Sequence, residues 1–258
     1  LIGREVGLPT LLWGPRDAAP NPDGTRDTDT LCGLLAASKV LRKLGVPFSY
    51  IENCWFDSPT LRTGLRRFVT AAHAAGTLRK GMRIGMIGQR IDFFWTTIID
   101  ESDLLQKFKV EVLPLDMVEF LQRIRRRVDE ERSGYEAKAK ELEQQWQVTG
   151  FNDPEPLLLD LAAADELRSL AEEHALDAVT MQDFNSYVEQ TGSYASLTES
   201  LVGDALPVSF ESDIHGAISN VLLKRAAGDE EPVFLTEFTA RHPENPNGVL
   251  LWHVGGTK

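Results

Sequence analysis

The sequence has few cysteines and no long apolar run. Its 258 residues include two cysteines, Cys32 and Cys54, which form neither a CxxC pair nor a disulfide framework. A cysteine-based metal site and a disulfide-stapled fold are therefore excluded, and we expect a reducing, cytoplasmic setting with both thiols in the core. No apolar run approaches the ~20 residues that a membrane-spanning helix needs, so no membrane partner is expected.

Positive charge is also scarce. The 27 lysines and arginines are outnumbered by 39 aspartates and glutamates, which gives a net charge of −12. Nucleic acids and anionic membrane surfaces are bound by clustered basic residues, so neither is an expected partner. An acidic surface is compatible with divalent cations. Hydrophobic residues make up 42% of the chain, which is enough for one large domain or two smaller ones.

Short apolar segments alternate with helical patterns along most of the chain. The strand-like segments include "RIGMIG" (83–88), "FKVEVLPLD" (108–116) and "LDAVTMQ" (176–182), and helix-like segments separate them. This alternation predicts an α/β fold with a mostly parallel, Rossmann-like sheet flanked by helices and with "RIGMIG" as a central strand. Open parallel sheets place their ligand sites beyond the carboxyl ends of the strands.

Two helical regions lie between these strands. Residues 117–148 mix both charge signs at helical spacing, and Ser133-Gly134 interrupts the pattern once, which predicts a solvated helical pair. Residues 156–175 predict an amphipathic helix. The alternation stops near residue 229, and the stretch that follows predicts an antiparallel hairpin over residues 232–254.

Three polar residues end apolar, strand-like segments in the last third of the chain: Glu211 in "VSFE", Glu237 in "VFLTE" and His253 in "LLWH". Two carboxylates and one imidazole are a donor set for Mn²⁺ or a similar divalent ion. The spacing alone leaves this open, because any one such residue is more often a capping or surface group. The residues that compete for the same roles are Asp213, His215 and His242.

Several longer stretches resemble the L-fucose/L-arabinose isomerase family. They are "PTLLWG" with the acidic loop and "DTLCG" that follow it, "MRIGMIG", "VSFESDIHGAIS" and "PVFLTEFTARHPENPNGVLLWHVGG". The last two are the most specific. Glu237 looks like the arabinose isomerase choice, since the fucose enzymes carry aspartate at the matching place.

The resemblance implies a metal-dependent aldose–ketose sugar isomerase that binds Mn²⁺, acts through a cis-enediol and assembles as a homo-oligomer. It implies that Glu211 and Glu237 are both metal ligands and the catalytic acid/base pair, and that His253 is a metal ligand. Asp213 and His215 would then orient Glu211, or serve as the N-cap and first turn of the helix predicted over residues 214–228.

The resemblance also implies that the chain is a fragment that is inactive alone. Residues 1–30 would be a leading strand and linker from a missing N-terminal domain, residues 31–228 the α/β domain, and residues 229–258 the start of a truncated β-rich domain. Two alternatives remain. One is a non-catalytic sugar-binding module of the same fold, and the other is an interaction scaffold built on the charged helices of residues 117–149.

Overall fold

The computed structural model describes residues 5, 7–146, 153–228, 233 and 235–253. The chain divides into two compact units, Leu1–Ala75 and Gly76–Lys258. No helix in the described ranges is long and apolar enough to cross a membrane.

Over its described residues from Gly7 onward, the first unit contains helices and a small parallel sheet. Its elements are β1 (Leu11–Leu12), α1 (Thr30–Lys43), β2 (Ser49–Tyr50) and the part of α2 (Pro59–Lys80) that precedes Gly76. β1 pairs with β2, and the core beneath them holds Ile51, Cys54 and Leu61. The prediction of a buried thiol is confirmed for Cys54 but was wrong for Cys32, which is exposed. The reason is that α1 directs Leu34, its buried residue, into the core instead.

The second unit is built around a four-stranded parallel sheet in the order β4–β3–β5–β6. The strands are β3 (Met82–Ile87), β4 (Val110–Leu115), β5 (Ala178–Met181) and β6 (Val208–Ser209). The helices are α3 (Glu101–Phe108), α4 (Met117–Gln145), α5 (Glu155–His174), α6 (Ser186–Thr191), α7 (Ser196–Val202) and α8 (Ile214–Ala227). The predicted α/β fold is confirmed, and β3, which contains most of "RIGMIG", is an interior strand.

Helices cover both faces of this sheet. Successive strand side chains point to opposite faces, and on β5 Ala178 joins a cluster with Ile214 and Ala217 of α8. The next residue, Val179, joins a larger cluster that includes Phe120 of α4 and residues of α5. A strand buried on both faces explains why "LDAVTMQ" is apolar without alternation.

Two helix predictions differ from the structure. α4 is interrupted at Glu131, which has a non-helical φ of −127°, rather than at Ser133-Gly134. α5 is not a simple amphipathic helix, because it packs against both α4 and α7. Its buried residues therefore include the polar Asp160 and Glu166.

The predicted antiparallel hairpin is confirmed. β7 (Glu237–Arg241) pairs with β8 (Val249–Trp252), with a register irregularity between Phe238 and Ala240. Within the segment predicted over residues 229–258, residues 229–232, 234 and 254–258 lie outside the described residues.

The domain boundaries predicted at residues 30 and 228 stay a prediction. The division into compact units falls between Ala75 and Gly76. Residues 31–75 join the start of the chain because β2 hydrogen-bonds to β1 in a sheet of their own.

Candidate active site

The candidate site lies at the carboxyl end of β6, where the chain turns before α8. The amide N–H of Asp213 donates to the carbonyl oxygen of Phe210 over 3.0 Å and closes this turn. Its two central residues, Glu211 (φ 62°) and Ser212 (φ 54°), both have left-handed backbones. Residues other than glycine adopt this conformation at a cost in free energy, so contacts from elsewhere must hold the turn.

Three hydrogen bonds to neighbouring strand ends hold the two central residues of this turn. The amide of Glu211 donates to Oδ1 of Asp183 at 2.9 Å. The amide of Ser212 donates to the carbonyl oxygen of Met181 at 3.1 Å, and its hydroxyl donates to the carbonyl oxygen of Gln89 at 3.0 Å. Met181 ends β5, while Gln89 and Asp183 lie just beyond β3 and β5. Residues at the carboxyl edge of the parallel sheet therefore hold the turn in its conformation. This is the edge at which such folds bind ligands.

Glu211 and His253 are brought side by side. Nε2 of His253 is 3.9 Å from Oε1 of Glu211. His253 follows β8 and is 7% exposed. Its ring stacks on that of Phe210, with centroids 6.1 Å apart and an interplanar angle of 4°. The hairpin thus delivers an imidazole to the carboxylate at the end of β6, although 42 positions separate them in the sequence.

Glu237 is placed differently. It begins β7 and is exposed, and its negative charge helps to raise the pKa of Glu211. Among the residues that the structure describes, no group of three or more His, Cys, Asp or Glu side chains is arranged to hold a metal ion. The structure therefore pairs Glu211 with His253 and leaves Glu237 close enough to act on Glu211 through its charge.

The electrostatics of the site favour a cation. Burial, followed by the charges of Asp183, Glu237 and Asp213, raises the pKa of Glu211 to about 7. Burial also raises the pKa of Asp183 to about 6. Buried carboxylates with a raised pKa are common at functional sites and become easier to ionise when a positive ligand binds.

The raised pKa of Glu211 predicts a pH-dependent stability of the metal-free protein. The unfolded chain loses this proton near pH 4.5, whereas the folded chain keeps it up to about pH 7. The contribution of the Glu211 carboxyl to the free energy of unfolding is therefore fully present below pH 4.5 and is lost as the pH rises through about 7. We expect the free energy of unfolding of the wild type, relative to a Glu211→Gln variant, to fall between pH 4.5 and 8.

Urea unfolding at several pH values, with a chelator present, measures this difference. Glu143→Gln on the exposed side of α4 is the control and should show no such trend. A difference between wild type and Glu211→Gln that stays constant across the range would contradict the prediction.

The competing residues have other positions. Asp213 occupies the N-cap position of α8, as predicted, but among the described residues its side chain makes no capping hydrogen bond. His215 is exposed on the first turn of α8. Nδ1 of His242 accepts hydrogen bonds from the amides of Glu244 and Asn245 at 3.1 and 3.0 Å, so this ring stabilises the hairpin turn.

Asp183 was missed by the sequence reasoning. It is 1% exposed, and its Oδ2 has no hydrogen-bond partner in the part of the chain that the structure describes. Its signal was present in the sequence, because it follows a buried strand just as Glu211 does. Applying the carboxyl-end rule to every parallel strand would have found it.

Comparisons with known proteins agree with the resemblance seen in the sequence. Residues 1–79 match the family described as "Fucose/sulfoquinovose isomerase, N-terminal domain". A sulfoquinovose isomerase of Alkalicoccus urumqiensis is 26% identical over 252 residues, covering 96% of this chain and 54% of the relative. Sulfoquinovose isomerases of Priestia aryabhattai and Priestia megaterium are each 25% identical over 252 residues, covering 96% of this chain and 53% of the relatives.

The resemblance to a fucose isomerase-like family is confirmed. The chain spans about half the length of the curated relatives that it matches. The match to an N-terminal domain covers residues 1–79. That range is close to the first compact unit, Leu1–Ala75.

Proposed function

We propose that this chain is part of a metal-dependent aldose–ketose isomerase of the fucose isomerase type, with a sugar as its substrate. The observation that carries the proposal is the pairing of Glu211 with His253, 3.9 Å apart at the carboxyl edge of the parallel sheet. The likeness to sulfoquinovose isomerases over 96% of the chain supports it, and makes a sulfonated sugar the first substrate to test.

The residues present fit a divalent cation by their chemistry. Carboxylate oxygens and imidazole nitrogens bind Mn²⁺ and similar ions, and both donor types are present here, with Oε1 of Glu211 and Nε2 of His253 3.9 Å apart. Burial and, after it, the nearby negative charges raise the pKa of Glu211, and a bound cation would offset those charges. Glu211, Glu237 and His253 would hold the ion. When bound, it polarises sugar oxygens and stabilises the negative charge that develops during the reaction.

The carboxylates carry the proton transfer. A carboxylate accepts the proton from C2 of the aldose as O1 gains a proton, which gives the cis-enediol. A proton is then delivered to C1 as the hydroxyl at C2 loses its own, which gives the ketose. Glu211 suits this role because its pKa of about 7 lies near neutral pH, where a group can both accept and donate a proton. Glu237 would be its acid/base partner. The stacking of His253 on Phe210 fixes the plane of the imidazole.

The proposal is tested with the full-length protein. It is incubated with Mn²⁺ and a panel of sulfoquinovose, L-fucose and L-arabinose, and ketose formation is followed by NMR. We expect at least one sugar to be converted with Mn²⁺ and none with a chelator. Sugar binding without conversion would favour the non-catalytic module instead. Conversion that a chelator leaves unchanged would contradict the metal dependence. The homo-oligomer implied by the resemblance is part of the proposal and is tested by sedimentation.

A further inference from the structure

Asp183 is buried in an unusual way. Its Oδ1 accepts a hydrogen bond from the backbone amide of Glu211 at 2.9 Å. Its Oδ2 is buried and has no hydrogen-bond partner among the described residues. A buried carboxylate that is partly satisfied destabilises a protein. The burial of this carboxylate therefore costs free energy, which points to a use other than stability.

The backbone conformation of the turn that Asp183 contacts is not the one that the turn's own residues prefer. Two consecutive residues with positive φ form a pattern that asparagine and glycine favour, yet the residues here are Glu211 and Ser212. The three hydrogen bonds to Asp183, Met181 and Gln89 hold the turn from outside. Two of the three acceptors are backbone carbonyls, so Asp183 is the one acceptor that substitution can remove.

We propose that Asp183 is a positioning residue, which holds the backbone of Glu211 in its left-handed conformation and so aims the Glu211 carboxylate at His253. This inference rests on the proposed function, because Glu211 is the group that binds the cation and moves the proton there. Without the Oδ1 acceptor, the amide of Glu211 loses its partner, and the backbone of Glu211 can relax to the negative φ values that residues other than glycine prefer. The carboxylate then loses its fixed position 3.9 Å from Nε2 of His253.

The chain offers a matched control for this proposal. Asp177 lies at the opposite, amino end of β5, and its Oδ2 accepts the backbone amide of Arg83 at 2.8 Å. Asp177→Ala therefore removes the same kind of hydrogen bond from the same strand, at the end away from Glu211. A merely structural role for Asp183 predicts that the two alanine variants behave alike.

The first measurement is the affinity of the full-length protein for Mn²⁺ alone, by calorimetry. We expect Asp183→Ala to weaken binding by ~10–100-fold, as loss of a group that orients a ligand does. Asp183→Asn keeps an acceptor oxygen and should bind nearly as the wild type does, and Asp177→Ala should leave the affinity unchanged. Wild-type affinity in Asp183→Ala, or equal losses in the alanine and asparagine variants, would overturn the proposal.

If Asp183→Ala does not fold, Asp183→Glu replaces it, because glutamate keeps the charge but displaces the acceptor oxygen. Weaker binding in the glutamate than in the asparagine variant supports positioning, and the reverse order refutes it.

The second measurement needs no metal and separates this proposal from the proposed function. Hydrogen exchange of the metal-free protein, read by mass spectrometry, should accelerate over residues 210–213 in Asp183→Ala and stay unchanged there in Asp177→Ala. A wild type that neither binds Mn²⁺ nor converts a sugar would end the isomerase proposal. The exchange result would still decide whether Asp183 holds the turn, and unchanged exchange in Asp183→Ala would overturn the positioning role.

Discussion

Replacing Glu211 with glutamine in the full-length protein should lower kcat for ketose formation by ~10²–10⁴-fold, the range that a positioned acid or base contributes. Glutamine keeps the shape of the side chain but removes both the negative charge and the proton acceptor. The fold should survive, because the turn is held through the backbone amide of Glu211, which the substitution leaves in place. Steady-state kinetics with saturating Mn²⁺ measures the effect, and circular dichroism checks the fold.

The control for this experiment is Glu143→Gln on an exposed position of α4, which removes one negative charge from the same unit. Its kcat should equal that of the wild type. Turnover by Glu211→Gln within a few-fold of the control would reject Glu211 as the catalytic base, and with it the isomerase mechanism proposed for this site.

The largest effect on stability is expected from Glu166→Gln. The Glu166 side chain is 2% exposed, and its two oxygens lie 2.5 Å from Nε of Arg123 and 2.5 Å from Nε of Arg127. This pairing joins α5 to α4. In glutamine one oxygen becomes an NH₂ group that faces a guanidinium N–H, and the buried negative charge is lost. Breaking a buried ion pair costs ~3–5 kcal/mol. We expect about 3 kcal/mol, the low end, because the guanidinium groups remain partly exposed.

Urea unfolding of the wild type and the variant measures this difference. Glu173→Gln is the matched control, because Glu173 also pairs with Arg123, at 3.2 Å, but is 52% exposed. An exposed pair contributes less than about 1 kcal/mol. Equal losses of unfolding free energy in the two variants would show that burial does not increase the contribution of Glu166 to stability.

Much of the fold could be predicted because its signals are local. "RIGMIG" and "FKVEVLPLD" are apolar over lengths typical of buried strands, and they became β3 and β4. The same reasoning placed Glu211 at a strand end and the turn of the hairpin near His242. It failed for α5, whose extra buried positions depend on which helices pack against it. Periodicity reports one buried face and cannot report a second neighbour.

The candidate site was predictable in its residue types and not in its geometry. A carboxylate at the carboxyl end of a parallel strand indicates a ligand site, whichever strands lie beside it. The left-handed backbone of Glu211 has no signal in "FESD", because glycine and asparagine are absent from both central positions. Asp183 acquires its role only because β5 and β6 are neighbours in the sheet.

By itself, the sequence determined the α/β class, the strand that became β3, the hairpin and the resemblance to sugar isomerases, since these depend on periodicity, turn residues and short motifs along the chain. Only the tertiary structure decided that His253 meets Glu211 while Glu237 stays exposed, and that Asp183 holds the turn. Those outcomes depend on strand order and on backbone conformations held by contacts between residues distant in the sequence. Neither can be predicted from any one stretch of residues.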